Sequence, residues 1–185
     1  KSASVDFDFA DVMERVQRVI RAVEPHDSIE RYTSLGVECH KGEARIISPY
    51  EVSVNGKTLT TRNIVVATGA RPAVPTIEGV ENIKYLTSDT IWNVRDRPKN
   101  LLVLGGGPIG SELTQAFARL GCNVTQVQRN KQLLPKEDPE ISQIVLESFK
   151  NDRINVLLEA IPKRFYKREG KNFLECEQNG NLTVV

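Results

Sequence analysis

The run Leu101-Leu102-Val103-Leu104 feeds directly into Gly105-Gly106-Gly107-Pro108-Ile109-Gly110. Gly105, Gly107 and Gly110 fit the spacing G-x-G-x-x-G. In that spacing the first glycine permits a tight turn, the second lets backbone approach a diphosphate, and the third lets a helix pack closely on a strand. A helix that opens at such a turn presents unpaired N–H groups and the positive end of its dipole, which suits phosphate. The spacing alone occurs in many loops for conformational reasons. Here an apolar strand precedes it, a helix follows and a second strand is expected at Asn123 to Gln128, which is the context of a dinucleotide site. Gly105, Gly106, Gly107, Pro108, Ile109 and Gly110 are therefore the expected pyrophosphate contacts.

Discrimination between nucleotides is expected at the end of the second strand. There a carboxylate about 20 residues after the turn would accept hydrogen bonds from an adenosine ribose. Gln128 stands at that place, followed by Arg129 and, two residues on, Lys131. An amide beside two cations would pair with a 2′-phosphate that a carboxylate would repel, which favours NADP(H) over NAD(H). The alternative is that Arg129 and Lys131 face solvent while Gln128 hydrogen-bonds a ribose.

No other constellation supplies a reaction. No nucleophile has a base at a defensible spacing, and there is no H-E-x-x-H, so any catalysis rests on a bound cofactor or on residues outside this chain. Cys39, Cys122 and Cys176 are odd in number and widely spaced, which offers neither a disulfide framework nor a metal pair and suggests buried, inert thiols. His26 and His40 lack partners at ligand spacing, so no metal site is expected. A net charge of +1 over 185 residues, from 25 basic and 24 acidic side chains, gives no field for nucleic acid or membrane surfaces. No apolar run approaches the roughly 18 residues needed to span a bilayer and no signal peptide opens the chain, so a cytoplasmic protein is expected, the alternative being a membrane anchor on an N-terminal portion outside this chain.

The elements that must position the glycine turn follow from periodicity. Phe9, Val12, Met13, Val16, Val19, Ile20 and Val23 mark an amphipathic helix closed by Pro25, with Glu14, Arg15, Arg18 and Arg21 on its charged face. Asp27 and Glu30 imitate a capping box for a short helix that stops at Gly36. Val37 to Ala44 reads as a strand, with Ile46-Ile47 as its extension. Glu51–Val54 and Lys57–Thr60 form a hairpin about Asn55-Gly56, and Ile64 to Ala67 reads as a strand buried on both faces. Residues 71–100 form a crossing with one short helix near Ser88 to Val94, capped by Ser88 or Asp89, with Trp92 in the core. After the turn come a helix with Ile109, Leu113, Ala116, Phe117 and Leu120 on one face, ended by Gly121, and the strand at Asn123. A further helix opens at Asp138-Pro139-Glu140 with Ile141, Ile144, Val145 and Phe149 inward, followed by a strand at Ile154 to Leu158. Lys163–Arg168 and Asn172–Glu177 are expected to pair about Glu169-Gly170, with a last strand at Leu182 to Val185.

Two motifs together carry a family resemblance: Val65-Val66-Ala67-Thr68-Gly69-Ala70-Arg71-Pro72, and Leu104 to Gly121 downstream of it. In combination they resemble the FAD-dependent pyridine nucleotide-disulfide oxidoreductases. Ala116 to Gly121, Leu133-Leu134-Pro135 and Glu137 to Glu140 are most similar to the mercuric reductase and dihydrolipoamide dehydrogenase branches. The resemblance implies an α/β fold: the C-terminal part of an FAD-binding domain over residues 1–72, and a Rossmann-like NAD(P)-binding domain with a parallel sheet, truncated at its C-terminus, over residues 73–185. It implies FAD contact by Thr68, Gly69, Ala70 and Arg71. It matches Glu112 to a family glutamate that reaches toward the flavin and a lysine partner; by residue type Glu112 is equally an exposed carboxylate in a first helical turn.

The family's first glycine motif, its C-x-x-x-x-C disulfide and its His-Glu acid/base pair are not in this sequence. Pro108 stands where several relatives carry a tyrosine that gates the nicotinamide pocket. The chain thus reads as the middle of a longer enzyme, in which NAD(P)H reduces FAD and FAD reduces a disulfide or a thiol-bound metal ion. The parent is expected to be a homodimer joined through a C-terminal domain outside this chain. Two other readings stand beside this one: a nucleotide-binding module without turnover, and a flavoprotein of the NADH oxidase or ferredoxin reductase kind.

Overall fold

The computed structural model describes residues 6–185. They fall into two compact units, one of Glu14–Arg71 and one of Pro72–Val185 joined by the residues up to Met13.

The smaller unit takes in most of helix α1 (Phe9–Val23), the short helix α2 (Ile29–Ser34) and strands β1 (Ala44–Ser48), β2 (Glu51–Val54) and β3 (Lys57–Thr60). α2 is capped by Ser28, whose hydroxyl accepts from the Arg31 N–H, and not by Asp27. Gly36, at φ +85°, ends it as expected. β1, β2 and β3 form an antiparallel sheet in that order, and the turn between β2 and β3 is made by Asn55 and Gly56, at φ 50° and 77°. Two positive values at successive residues are what a type I′ hairpin requires.

The expected strand from Val37 is not formed; pairing starts only at Ala44. The preceding segment is held by side chains instead. Asn55 donates to the Lys41 carbonyl at 2.7 Å, and the Glu38 carboxylate takes Lys57 at 3.1 Å and His40 at 2.9 Å. The Lys57 ammonium, with His40 beside it, holds the Glu38 carboxyl below the usual carboxylate range. Ile64 to Ala67 is likewise not a buried strand: it is irregular, with Val65 87% exposed, because no strand among the described residues pairs with its backbone. The second half of the α1 stripe, Val19, Ile20 and Val23, is also exposed. Cys39, expected to be buried, is exposed.

In the larger unit the expected α/β order is present. β4 (Asn100–Leu104), β5 (Asn123–Val127) and β6 (Asn155–Leu157) make a parallel sheet in that order, with Leu104 opposite Val127 and Val127 opposite Leu157. Helix α3 (Pro108–Arg119) connects β4 to β5, and α4 (Pro139–Asn151) connects β5 to β6. A meander of β7 (Ala160–Arg168), β8 (Lys171–Gln178) and β9 (Asn181–Val184) follows, turning at Glu169-Gly170 as expected. Three clusters of buried side chains hold this unit. Phe9, Met13, Ile91, Phe117, Cys122 and Val124 form one, with Trp92 against it. Val127, Leu157, Ala160, Phe165, Leu174 and Cys176 form the second, and Leu133, Phe149 and Ile154 the third. Burial pushes the Cys122 and Cys176 thiols up.

The helix faces depart from the periodic reading. α3 buries Ser111, Thr114 and Phe117 and leaves Ile109 and Ala116 exposed. α4 buries Ser142 and Phe149 and leaves Ile141 and Ile144 exposed. At the start of α3, where Gly110 is seated against the Gly105 carbonyl, the helix lies too close to the sheet for bulky side chains, so Ser111 and Thr114 take the contact face and Phe117 follows only a turn later. In the crossing segment the helix expected near Ser88 shrinks to a single 3-10 turn, Ile91–Asn93. Neither Ser88 nor Asp89 caps it; Thr87 and Thr90 bind one another, the Thr87 N–H donating to Thr90 Oγ1 at 2.9 Å. The crossing is stitched to the meander where Phe165 N–H donates to the Glu78 carbonyl at 2.7 Å, and a β-carbon on Gly79 would collide with the Phe165 carbonyl.

Candidate functional site: the glycine turn

β4 ends at Leu104, and the chain then reverses into α3 through Gly105, whose φ of +97° is a conformation side chains rarely allow. The Gly105 N–H still bonds the Val127 carbonyl at 2.8 Å, so the turn is anchored to the tip of β5. A β-carbon on Gly110 would strike the Gly105 carbonyl oxygen. This is the close approach that the third glycine of the spacing exists to permit. The same carbonyl accepts from Gln126 Nε2 at 3.0 Å, and Gln126 is fully buried in β5.

Gly107 is different: nothing lies within 4 Å of a β-carbon placed there, so the turn is open on that side. Gly107 is also the N-cap of α3, no side chain caps the helix, and Pro108 occupies the first turn, where its missing N–H costs nothing. The result is a helix start with backbone donors and no protein partner built in from a side chain, beside an open face. That is the chemistry of an anion site.

Arg129 and Lys131 follow β5 and are both exposed, and Lys131 borders a groove of about 280 Å³ whose far side is α4 at Ser142 and Leu146. Gln128 is turned inward and is 4% exposed, its Nε2 3.0 Å from the β-position of Gly106. It therefore packs beneath the turn, leaving the two cations as the polar groups facing out. Glu112 is exposed one turn into α3. Thr68, Gly69, Ala70 and Arg71 are all exposed in an irregular segment of the smaller unit, with Gly69 at φ +69°. The sequence reading missed a brace on the turn: Leu133, fully buried, and Leu134, whose N–H donates to the Gly106 carbonyl at 2.6 Å. Only the doubled leucine of Leu133-Leu134 hinted at it. It also missed the polar underside, where Ser111 Oγ, Thr114 Oγ1 and Gln126 Oε1 are buried without a partner.

Among the described residues there is no cluster of three His, Cys, Asp or Glu placed to hold a metal ion, and no helix long and apolar enough to cross a membrane.

A parallel sheet whose first strand ends in a glycine turn, with helices at its crossovers, defines a Rossmann-type α/β protein. The family model described as pyridine nucleotide-disulphide oxidoreductase matches residues 9–184, and the chain belongs to that family. A mercuric reductase of Staphylococcus aureus is 33% identical over 178 residues, which is 96% of this chain and 30% of the relative. A dihydrolipoyl dehydrogenase of Acholeplasma laidlawii is 32% identical over 194 residues, spanning 100% of this chain and 56% of the relative. This chain therefore spans about a third to a half of the length of such relatives. The Cu(II) complex of the HOCl-induced flavoprotein disulfide reductase RclA from Escherichia coli has the same fold, with a TM-score of 0.77 at 23% identity, over 96% of this chain and 41% of that one.

Proposed function

We propose that this chain supplies the reductant site of a flavoprotein oxidoreductase, in which NADP(H) lies on the glycine turn. The observation that carries the reading is the pairing of a closed and an open position in one turn: Gly110 seated against the Gly105 carbonyl, and Gly107 facing open space at the start of α3. Gly106, Gly107, Ile109 and Gly110 would hold the pyrophosphate, and Arg129 with Lys131 the 2′-phosphate. When bound, NADPH supplies a hydride and FAD accepts it. Thr68 to Arg71 would touch the flavin together with residues outside this chain, and Glu112 would stand on the flavin side of the site.

The mercuric reductase and dihydrolipoyl dehydrogenase relatives support a disulfide or a thiol-bound metal ion as the final acceptor. The intact protein is proposed as a cytoplasmic homodimer joined through a domain outside this chain. By itself the chain is expected to bind nucleotide with little or no turnover.

Titration of the chain with NADPH and with NADH, repeated for Arg129→Glu, tests the cofactor choice. Loss of a charge-assisted pair should weaken NADPH about 10- to 100-fold and leave NADH nearly unchanged. Equal affinities that ignore the substitution would remove the NADP(H) preference. Failure of both nucleotides to bind would remove the site itself.

A further inference from the structure

We propose that the backbone N–H of Leu134 is a positioning group for the nucleotide: by holding the Gly106 carbonyl inward it aims the Gly107 N–H at the bound pyrophosphate. The proposal rests on the dinucleotide reading above and extends it from the turn to the segment that braces it. The Leu134 N–H donates to the Gly106 carbonyl at 2.6 Å. In a planar trans peptide the carbonyl and the following N–H point to opposite sides. The bond from Leu134 therefore turns the Gly107 N–H away from the protein and toward the open face of the turn.

Independent features make this a rigid brace. Leu133 is fully buried, its Cδ2 2.8 Å from the β-position of Gly106, so residue 106 can carry no side chain while Leu133 stays in place. Leu134 sits at φ 47°, where a leucine is strained, and such strain persists only where surrounding contacts over-determine the backbone. Those contacts are present: Glu137 N–H donates to the Leu134 carbonyl at 2.8 Å, and Gln132 Nε2 to the Glu137 carbonyl at 3.0 Å. Arg129 and Lys131 are held apart from this bond, by Glu159 N–H on the Asn130 carbonyl and Ala160 N–H on the Gln128 carbonyl, so the Leu134 donor bears on the pyrophosphate end of the site alone.

Replacing the residue 134 amide by an ester, with leucic acid incorporated in place of leucine, deletes this donor and keeps the side chain. The probes are NADPH, which needs both ends of the site, and adenosine 2′-monophosphate, which reaches only the cation pair. NADPH should weaken about tenfold while adenosine 2′-monophosphate changes less than about twofold. An unchanged NADPH affinity, or an equal loss for both ligands, overturns the proposal. A second measurement does not depend on the ester. Gly106→Ala should weaken NADPH by driving the new β-carbon into Leu133, and Leu133→Ala in the same chain should restore part of that loss. Strict additivity of the two losses overturns the brace. Absence of NADPH binding by the unsubstituted chain would overturn the dinucleotide reading and this proposal with it, so the first titration separates the two failures.

Discussion

Two valine-bearing stretches meet opposite fates in this chain. Val124 and Val127 in β5 are 4% and 2% exposed, whereas Val65 and Val66 in the smaller unit are 87% and 67% exposed. Both runs are rich in β-branched residues suited to a pleated, buried surface. The difference is partners: β5 is flanked by β4 on one side and β6 on the other, while Ile64 to Ala67 pairs with no strand among the described residues. Hydrophobicity marks where a strand can form, and backbone pairing decides whether it does, since a buried peptide group without a hydrogen bond is costly. The contrast extends over the units. In the larger one Leu133, Ala160, Leu174 and Cys176 are wholly buried, while within Glu14–Arg71 no side chain is wholly buried and Val54, at 5%, is the one buried hydrophobic residue.

The largest expected effect on this contrast is from Phe149→Ala. Phe149 is 1% exposed and packs with Leu133 and Ile154, so its truncation should cost about 3–5 kcal/mol in denaturant unfolding of the chain. Val66→Ala should stay within about 0.5 kcal/mol. Similar costs for the two would show that Ile64 to Ala67 is buried in solution. Next in size is Gly110→Ala, whose β-carbon meets the Gly105 carbonyl; an overpacked contact of this kind should cost about 1–3 kcal/mol and weaken NADPH at the same time. Full NADPH affinity in that variant would mean that the turn yields without altering the site.

The smallest effect belongs to Glu38, an exposed carboxyl held below its ordinary range by Lys57 and His40. A carboxyl depressed in the folded state adds stability above its unfolded pKa and loses it as acid protonates the folded group. Glu38→Gln should therefore be slightly less stable than the parent at neutral pH, with the gap closing below about pH 4. A gap that widens on acidification would reverse the assignment. The segment around Glu38 is held by exposed side chains, where the larger unit is held by its core.

Much of the fold was legible where its signals are local. The glycine spacing and Pro108 place the start of α3, and Asn55-Gly56 and Glu169-Gly170 place two hairpins, since each needs a backbone conformation that few residues accept. The side-chain periodicity of α3 and α4 was misleading because it counts apolar residues. At α3 the close approach to the sheet selects Ser111 and Thr114 for the buried face and pushes Ile109 out. The Gln128 position was found from spacing, but its inward turn beneath Gly106 depends on the depth of the glycine turn, which no local pattern encodes. Least legible was the Leu134 brace. It is a main-chain bond between distant residues, and any side chain can flank a backbone donor. Val37 and Ile64 were assigned to strands for want of the opposite information, whether a partner strand is at hand.

The stitch between Glu78 and Phe165 bears on how the chain reaches this fold. The β7–β8 hairpin closes locally about Glu169-Gly170, but the bond from Phe165 to Glu78 spans 87 residues of sequence. Closing so long a loop costs entropy before its contacts repay any of it, whereas a hairpin forms within microseconds. The crossing that carries Gly79 is therefore expected to dock on a seat the meander has already made, after the β7–β8 hairpin has closed.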